Sequence, residues 1–289
     1  MKTMITEAKE YNMKKPLKVA GKVLKYALIF AALLISIYPV LWMVLGSLKD
    51  TNSFYNNIWG IPREMHFENY IYAWNKAKIG VKYLNTILIT AGFLVVLLPT
   101  VSCAAYAIAR LKFKGKSKIY MYFLTGIMVP SGILAIPSFI VATKLGLTDT
   151  RIGLILFYVA QATAFGIFLM RSFFISLPKS LEEAAMIDGC TRFGSFCRVI
   201  LPLSVPGLMT QVVYSGLVVW NEYMLASLFV RSSELQTLPL GMSVFIGQYS
   251  TDYPSLFAAL VCATIPMLII YICAQKTFIA GMTAGAVKG

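Results

Sequence analysis

Gly115-Lys116-Ser117 has the ending of a phosphate-binding loop, and a true loop of that kind would let the chain hold and hydrolyse ATP by itself. The pattern requires another glycine five residues before Gly115, where Arg110 stands, and a strand ahead of it, where this sequence has a long apolar run. The three residues are therefore read as a basic turn. The five cysteines, Cys103, Cys190, Cys197, Cys262 and Cys273, include no C-x-x-C pair, and His66 is the one histidine, so neither a disulfide framework nor a His/Cys metal site is indicated. There is no H-E-x-x-H, no G-x-S-x-G and no paired-carboxylate spacing, so an intramembrane enzyme would lack a catalytic set. His66 is read as satisfying a local hydrogen bond.

One carboxylate stands in an apolar run. Glu222 lies among Trp220, Asn221 and Tyr223. At membrane depth an ionisable group costs about 2.5–3.5 kcal/mol on insertion scales, so it must face protein or water. Counted back from Val230 at helical rise, it falls about 12 Å inside the end of its span. Two readings stay open at this point: a solute-pathway or gate residue, and a buried hydrogen bond that fixes helix packing. Gln161, Thr163, Gln211, Tyr214 and Asn221 are further pathway candidates, although Gln and Thr in spans commonly hydrogen-bond between helices.

The elements that must position these residues are membrane helices. At 58% hydrophobic and 13% charged residues over 289 positions, with a mean hydropathy of +0.73, the chain falls outside the soluble class. Lys and Arg exceed Asp and Glu by 26 to 12, but they cluster between apolar runs, where a membrane surface and not a nucleic acid is the expected partner. Six stretches are long enough to cross a bilayer as helices: Tyr26–Leu48, Tyr83–Ala109, Ile119–Thr143, Ile152–Met170, Leu203–Val230 and Pro254–Gln275. The first exceeds the apolar core of a cleaved signal peptide and is expected to be retained. With a cytoplasmic N-terminus, 18 of the 26 basic residues lie inside, which is the positive-inside bias. The expectation is an all-α polytopic protein with both termini cytoplasmic. It comprises a basic N-terminus (1–25), a six-helix domain (26–275) with a cytoplasmic loop at 171–202, and a cytoplasmic tail (276–289).

Prolines at 39, 99, 130, 137 and 266 fall inside the expected spans, where each frees a carbonyl that a neighbouring helix or a water-lined cavity must satisfy. The outer loop Lys49–Lys82 is rich in aromatics, among them Phe54, Tyr55, Trp59, Phe67, Tyr70, Tyr72 and Trp74. They read as an interfacial belt, with a docking face for an extracytoplasmic protein as the other possibility.

The loop 171–202 is a long, structured connection on the inner side. Ser180 and Glu183 have capping-box spacing, Glu182 and Glu183 suit the positive end of a helix dipole, and Gly189 supplies a left-handed stop. A helix of about two turns, Leu181 to Asp188, is expected, followed by a second from Phe193 to Leu201 that ends at Pro202. A few residues would close such a turn; about 30 are present.

Glu183-Ala-Ala-Met-Ile-Asp-Gly189, nine residues, then Val199-Ile-Leu-Pro202 resembles the E-A-A-x3-G-x9-I-x-L-P motif of permease subunits of binding-protein-dependent ABC importers, with Val for Ile at 199. Gly166–Arg171, Trp220–Tyr223 and the tail Gly281–Gly289 look like the carbohydrate branch, in particular the maltose-type permease whose tail reaches the ATPases. The resemblance covers about Tyr38 to Gly289 and implies the type I importer permease architecture in a bacterial cell membrane. By the same resemblance Glu183, Ala184, Ala185, Asp188 and Gly189 form a coupling helix on an ATPase subunit, and Thr283, Gly285 and Lys288 lie in an ATPase-contacting tail. It implies a non-catalytic chain without cofactors of its own, with ATP and Mg on two partner ATPases, a second homologous permease, an extracellular solute-binding protein and a sugar substrate. The competing class is an ion-coupled secondary transporter that uses Glu222.

Overall fold

A computed structural model describes the backbone of residues 2–247 and 249–286, and the side chains of residues 21–247, 249–269, 271, 272 and 275. The elements are helices: α1 Lys2–Ser47, α2 Thr51–Asn56, α3 Glu68–Lys76, α4 Ile79–Arg110, α5 Lys116–Met128, α6 Ser131–Lys144, α7 Arg151–Ser176 and α8 Ser180–Ile187. They continue as α9 Arg192–Ser195, a wide turn at Phe196–Ile200, α10 Leu201–Leu203, α11 Val205–Trp220, α12 Met224–Phe229, α13 Leu238–Gly241 and α14 Tyr253–Ala286. Among the described residues the extended pairing is limited to one bridge, Ile246 with Thr251. Helix is what an apolar sequence must adopt where lipid offers backbone groups no partner.

The parallel pair α4 and α7 forms the centre, with Asn85 beside Arg151 at their starts and Arg110 beside Phe174 at their ends. Phe93, Leu97, Val101 and Ala105 of α4 are fully buried, as are Ile167, Met170 and Phe174 of α7. Gly166 permits their approach, because a Cβ there would lie 2.7 Å from Val101 Cγ1. α1 is the opposite case. Its apolar stretch from Gly21 is exposed through Leu41, the pattern of a helix whose solvent is lipid. Among the described residues three helices are long and apolar enough to cross a membrane unaided, within Gly21–Ser47, Ile79–Arg110 and Arg151–Ser176; two further candidates are bent helix pairs.

Those bends correct the sequence expectation. The stretch Ile119–Thr143 is two helices, α5 and α6, inclined by 101°. Pro130 has no N–H to continue α5, and its ring disfavours the helical conformation in the residue before it, which leaves Val129 extended (φ −85°, ψ 116°). Leu203–Val230 is likewise interrupted: α11 stops at Trp220 and α12 begins at Met224, so Glu222 lies in a break and the helical-rise placement does not apply. Pro202 does not end the second loop helix either. The helical path runs from Arg192 to Leu203 and bends by 70° at Ser204. The wide turn Phe196–Ile200, in which Leu201 N–H bonds Phe196 O, directly precedes Pro202, as expected where a proline ring crowds the preceding turn.

The aromatics of the outer loop are divided. Phe54 is buried against Trp42, Tyr253 and Phe257, where it joins α1, α2 and α14, while Trp59 and Phe67 remain exposed. His66 bonds Glu68 through Nδ1 at 2.5 Å, the local role expected of it. The basic turn reading of Gly115-Lys116-Ser117 also holds. Lys116 Nζ donates to Ala109 O (3.0 Å) and Leu111 O (3.2 Å), where a cation suits the C-terminal end of α4.

Candidate functional site

Two places gather the residues singled out by the sequence. The first is α8. Its C-terminus closes as a full Schellman motif: Gly189 N–H bonds Met186 O at 3.1 Å, Cys190 N–H bonds Ala185 O at 2.9 Å, and Gly189 takes φ +84°. The left-handed stop is therefore realised. The capping box is not. The helix starts on Lys179, whose carbonyl receives the N–H groups of Glu182 (3.0 Å) and Glu183 (3.1 Å), so the donor that Ser180 was expected to satisfy is already occupied. Ala185 is 7% exposed and turns into the chain, whereas Glu183, Ala184, Asp188 and Gly189 are exposed. Ile187, at 85% exposure, adds an apolar side chain to that free edge.

Glu182, which the motif reading passed over, is the carboxylate that anchors α8. Its Oε2 lies 3.4 Å from Arg110 Nε at the end of α4. A cavity of about 270 Å³ opens beside this pair, where Arg110, Lys112, Lys179 and Arg192 face Glu182 and Glu183. The next helix is capped by Thr191, whose hydroxyl accepts Gly194 N–H at 3.1 Å.

The second place is a cleft of about 200 Å³ between α4, α6, α7 and α11, lined by Phe93, Ser131, Tyr158, Gln161, Tyr214 and Glu222, among others. Glu222 accepts three hydrogen bonds: Tyr158 OH at 2.6 Å, Leu225 N–H at 2.7 Å and Ala226 N–H at 3.0 Å. It thus caps α12 while facing the cleft, so the hydrogen-bond reading is met and the pathway reading keeps its place at the cleft wall as a proposal. Gln161 and Tyr214 join it there, with Phe165 stacked on Tyr214 at 4.5 Å between centroids. Thr163 bonds back to Val159 O within α7 at 2.6 Å, as a helix threonine commonly does. Gln211 stands behind the wall, fully buried, and donates to Ser215 Oγ at 2.7 Å. Asn221 is exposed and bonds back to Leu217 O, which terminates α11. Tyr158, Phe165 and Ser131 were missed by sequence reasoning because an aromatic or serine in an apolar run carries no signal of which neighbour it meets. Thr283 and Gly285 fall in the part of α14 of which only the backbone is described, and Lys288 lies outside the described residues.

Residues 100–283 match the family described as the binding-protein-dependent transport system inner membrane component. This chain belongs to that family. As an inner-membrane transport component, it shares its length with curated relatives. "Probable ABC transporter permease protein YurM" of Bacillus subtilis is 36% identical over 93% of this chain and 89% of the relative. "Diacetylchitobiose uptake system permease protein NgcG" of Streptomyces coelicolor is 33% identical over 92% and 88%. Among solved structures, a bacterial ABC transporter involved in the import of the acidic polysaccharide alginate has a chain that superposes with TM-score 0.78, covering 89% of this permease and 95% of that chain at 24% identity. That likeness establishes the importer permease fold. The two gathered places therefore lie on a transport permease, one on a structured loop between α7 and α11 and one between its central helices.

Proposed function

We propose that this permease is one of two membrane subunits of an ATP-driven importer for a sugar or oligosaccharide handed over by an extracellular binding protein. α8 seats in an ATP-hydrolysing subunit, and the spans rock between inward- and outward-facing states as the ATPases close. The observation that carries this reading is the free edge of α8: Ala184, Ile187 and Gly189 are exposed on a helix that is rigidly stopped and anchored at its base. The 85% exposed Ile187 stands beside exposed Ala184 and Gly189, giving a partner a small, apolar edge that it can approach closely. The sugar assignment is supported by the diacetylchitobiose relative and by a cleft with aromatic faces beside amide, hydroxyl and carboxylate groups, the mixture that a sugar ring requires.

In this reading the chain performs no catalysis and binds no cofactor; ATP and Mg belong to the two partner ATPases. It has six spans with both termini in the cytoplasm, and the tail with Thr283, Gly285 and Lys288 reaches the ATPases. Gln161, Tyr214 and Glu222 line the substrate route, with Gln211 and Asn221 in supporting positions. An ion-coupled carrier would need Glu222 free to exchange a proton or cation, whereas its oxygens are engaged by three donors.

The test is purification from the native membrane followed by reconstitution. Co-purification of a second permease and a P-loop ATPase, with uptake that requires ATP and the binding protein, is expected. A chain that purifies alone and transports on an ion gradient without ATP overturns the reading.

A further inference from the structure

A single guanidinium at the end of α4 holds three helices together. Arg110 Nη2 donates to Phe174 O at 2.5 Å and Leu177 O at 2.6 Å, the carbonyls that close α7, and its Nε faces Glu182 Oε2 of α8 at 3.4 Å. The Arg110 side chain is 5% exposed and that of Glu182 12%. The remaining attachment of α8 is of another kind. It packs on α9 and the turn Phe196–Ile200 with Ala185 buried, and Tyr106 of α4 lines the cavity beside Glu182.

We propose that Arg110 is the positioning residue that carries a displacement of α8 into α4 and α7. The inference rests on α8 being the ATPase-docking helix. Apolar packing is non-directional and allows one surface to slip over another, whereas Arg110 Nη2 grips the two α7 carbonyls by directional hydrogen bonds and its buried charge faces Glu182 as an ion pair. Breaking a buried ion pair by moving one partner leaves an uncompensated charge, which is strongly unfavourable. When α8 is pushed, Glu182 takes Arg110 with it, and Arg110 takes the ends of both central helices. These helices carry Phe93, Tyr158 and Gln161, so the displacement reaches the cleft along rigid rods. From Phe174 to Gln161 the path along α7 is about 20 Å at helical rise. Lysine could keep the charge but not the planar guanidinium, so it should transmit only in part.

The experiment uses the complete reconstituted transporter carrying Ala162→Cys, a position that lines the cleft. Its modification by a membrane-impermeant maleimide is read by peptide mass spectrometry, with and without ATP and vanadate. In the parent protein, trapping with nucleotide should change the labelling rate by at least about fivefold, the lower range of ordinary site-to-site coupling. Arg110→Gln and Glu182→Gln should assemble with the ATPases and hydrolyse ATP, yet lose this nucleotide dependence; Arg110→Lys should recover part of it. If Arg110→Gln fails to accumulate, Glu182→Gln, which preserves shape, decides alone. Retained nucleotide dependence in Glu182→Gln overturns the proposal. So does equal loss in Asn85→Ala, a destabilising change at the far end of α4, since the effect would then be one of general stability. The docking reading is tested separately by Gly189→Glu: if this variant leaves assembly and nucleotide dependence intact, α8 does not dock, and that result is independent of Arg110.

Discussion

At its N-terminal end α4 is tied to the rest of the molecule by a web of hydrogen bonds, and at its C-terminal end largely by one cation. Lys82 Nζ donates to Gln236 Oε1 at 2.6 Å. Asn85 Nδ2 donates to Glu234 O (2.6 Å) and Gln236 O (3.0 Å), while Asn85 Oδ1 accepts Arg151 Nη2 of α7 at 2.8 Å. Thr86 Oγ1 accepts Leu238 N–H at 2.8 Å. Nearby, Asp149 receives the backbone N–H groups of Arg231 (3.0 Å) and Ser232 (2.9 Å), joining the α6–α7 turn to the segment after α12. Many partners, most of them neutral, make a joint that survives the loss of any one. At the other end Arg110 bridges α4, α7 and α8 by charge and hydrogen bonds, beside Tyr106, which packs on Phe174 and Phe196. One charged joint can be pushed as a unit, which suits the end at which, in the proposed reading, an ATPase applies force, whereas distributed bonding suits a base that holds still.

The largest effect expected is at the pushed end. Gly189→Glu places a charged side chain on the free edge of α8 and forces a left-handed backbone on a residue that resists it. Membrane insertion should be normal, with uptake at background and ATP hydrolysis uncoupled; wild-type uptake in vesicles would break the contrast between the two ends. Asn85→Ala at the braced end removes the acceptor of the Arg151 guanidinium and the donor to two carbonyls, a loss of about 1–3 kcal/mol. It should lower the thermal unfolding temperature in detergent while uptake per ATP stays unchanged. A drop in coupling without a drop in stability would show that this end moves as well.

Glu222→Gln lies between the ends. It keeps an acceptor oxygen but turns the other into an amide that cannot accept from α12, so a loss of about 1 kcal/mol is expected. Altered substrate preference with unchanged stability would assign Glu222 to the route, and lowered stability with unchanged preference would assign it to the cap. The smallest effect concerns His66. Its hydrogen bond to Glu68, with the charges of Glu68 and Asp50, raises its pKa above the usual value of 6.5. A raised folded pKa means that the contribution is complete below the unfolded value and is lost as pH rises through the folded one. The stability difference between parent and His66→Asn should therefore shrink as pH is raised from mildly acidic to alkaline, measured by thermal unfolding. A difference that grows with pH would remove the clasp from the account of this loop.

Much of α8 was legible in the sequence because its determinants are local. Gly189 stops the helix wherever the helix lies, since only glycine takes φ +84° without strain. The motif spacing needs no neighbours to be read. The cleft was half legible: Gln161, Tyr214 and Glu222 stand out as polar groups in apolar runs, and the structure brings them to one wall, but Gln211 and Asn221 are spent on Ser215 and Leu217. Burial depends on which helix packs alongside, and residue type alone does not specify that.

The sequence by itself determined the helical class, the membrane as solvent and the stop at Gly189, because hydropathy and backbone conformation are properties of short segments. Tertiary structure alone decided that Glu182 and not Glu183 anchors α8, that Glu222 sits in a break between α11 and α12, and that α5 and α6 turn by 101°. The anchor requires Arg110, which lies on another helix far back in the chain. A carboxylate is assigned its role by the donors that folding brings within reach, and those donors are not encoded next to it.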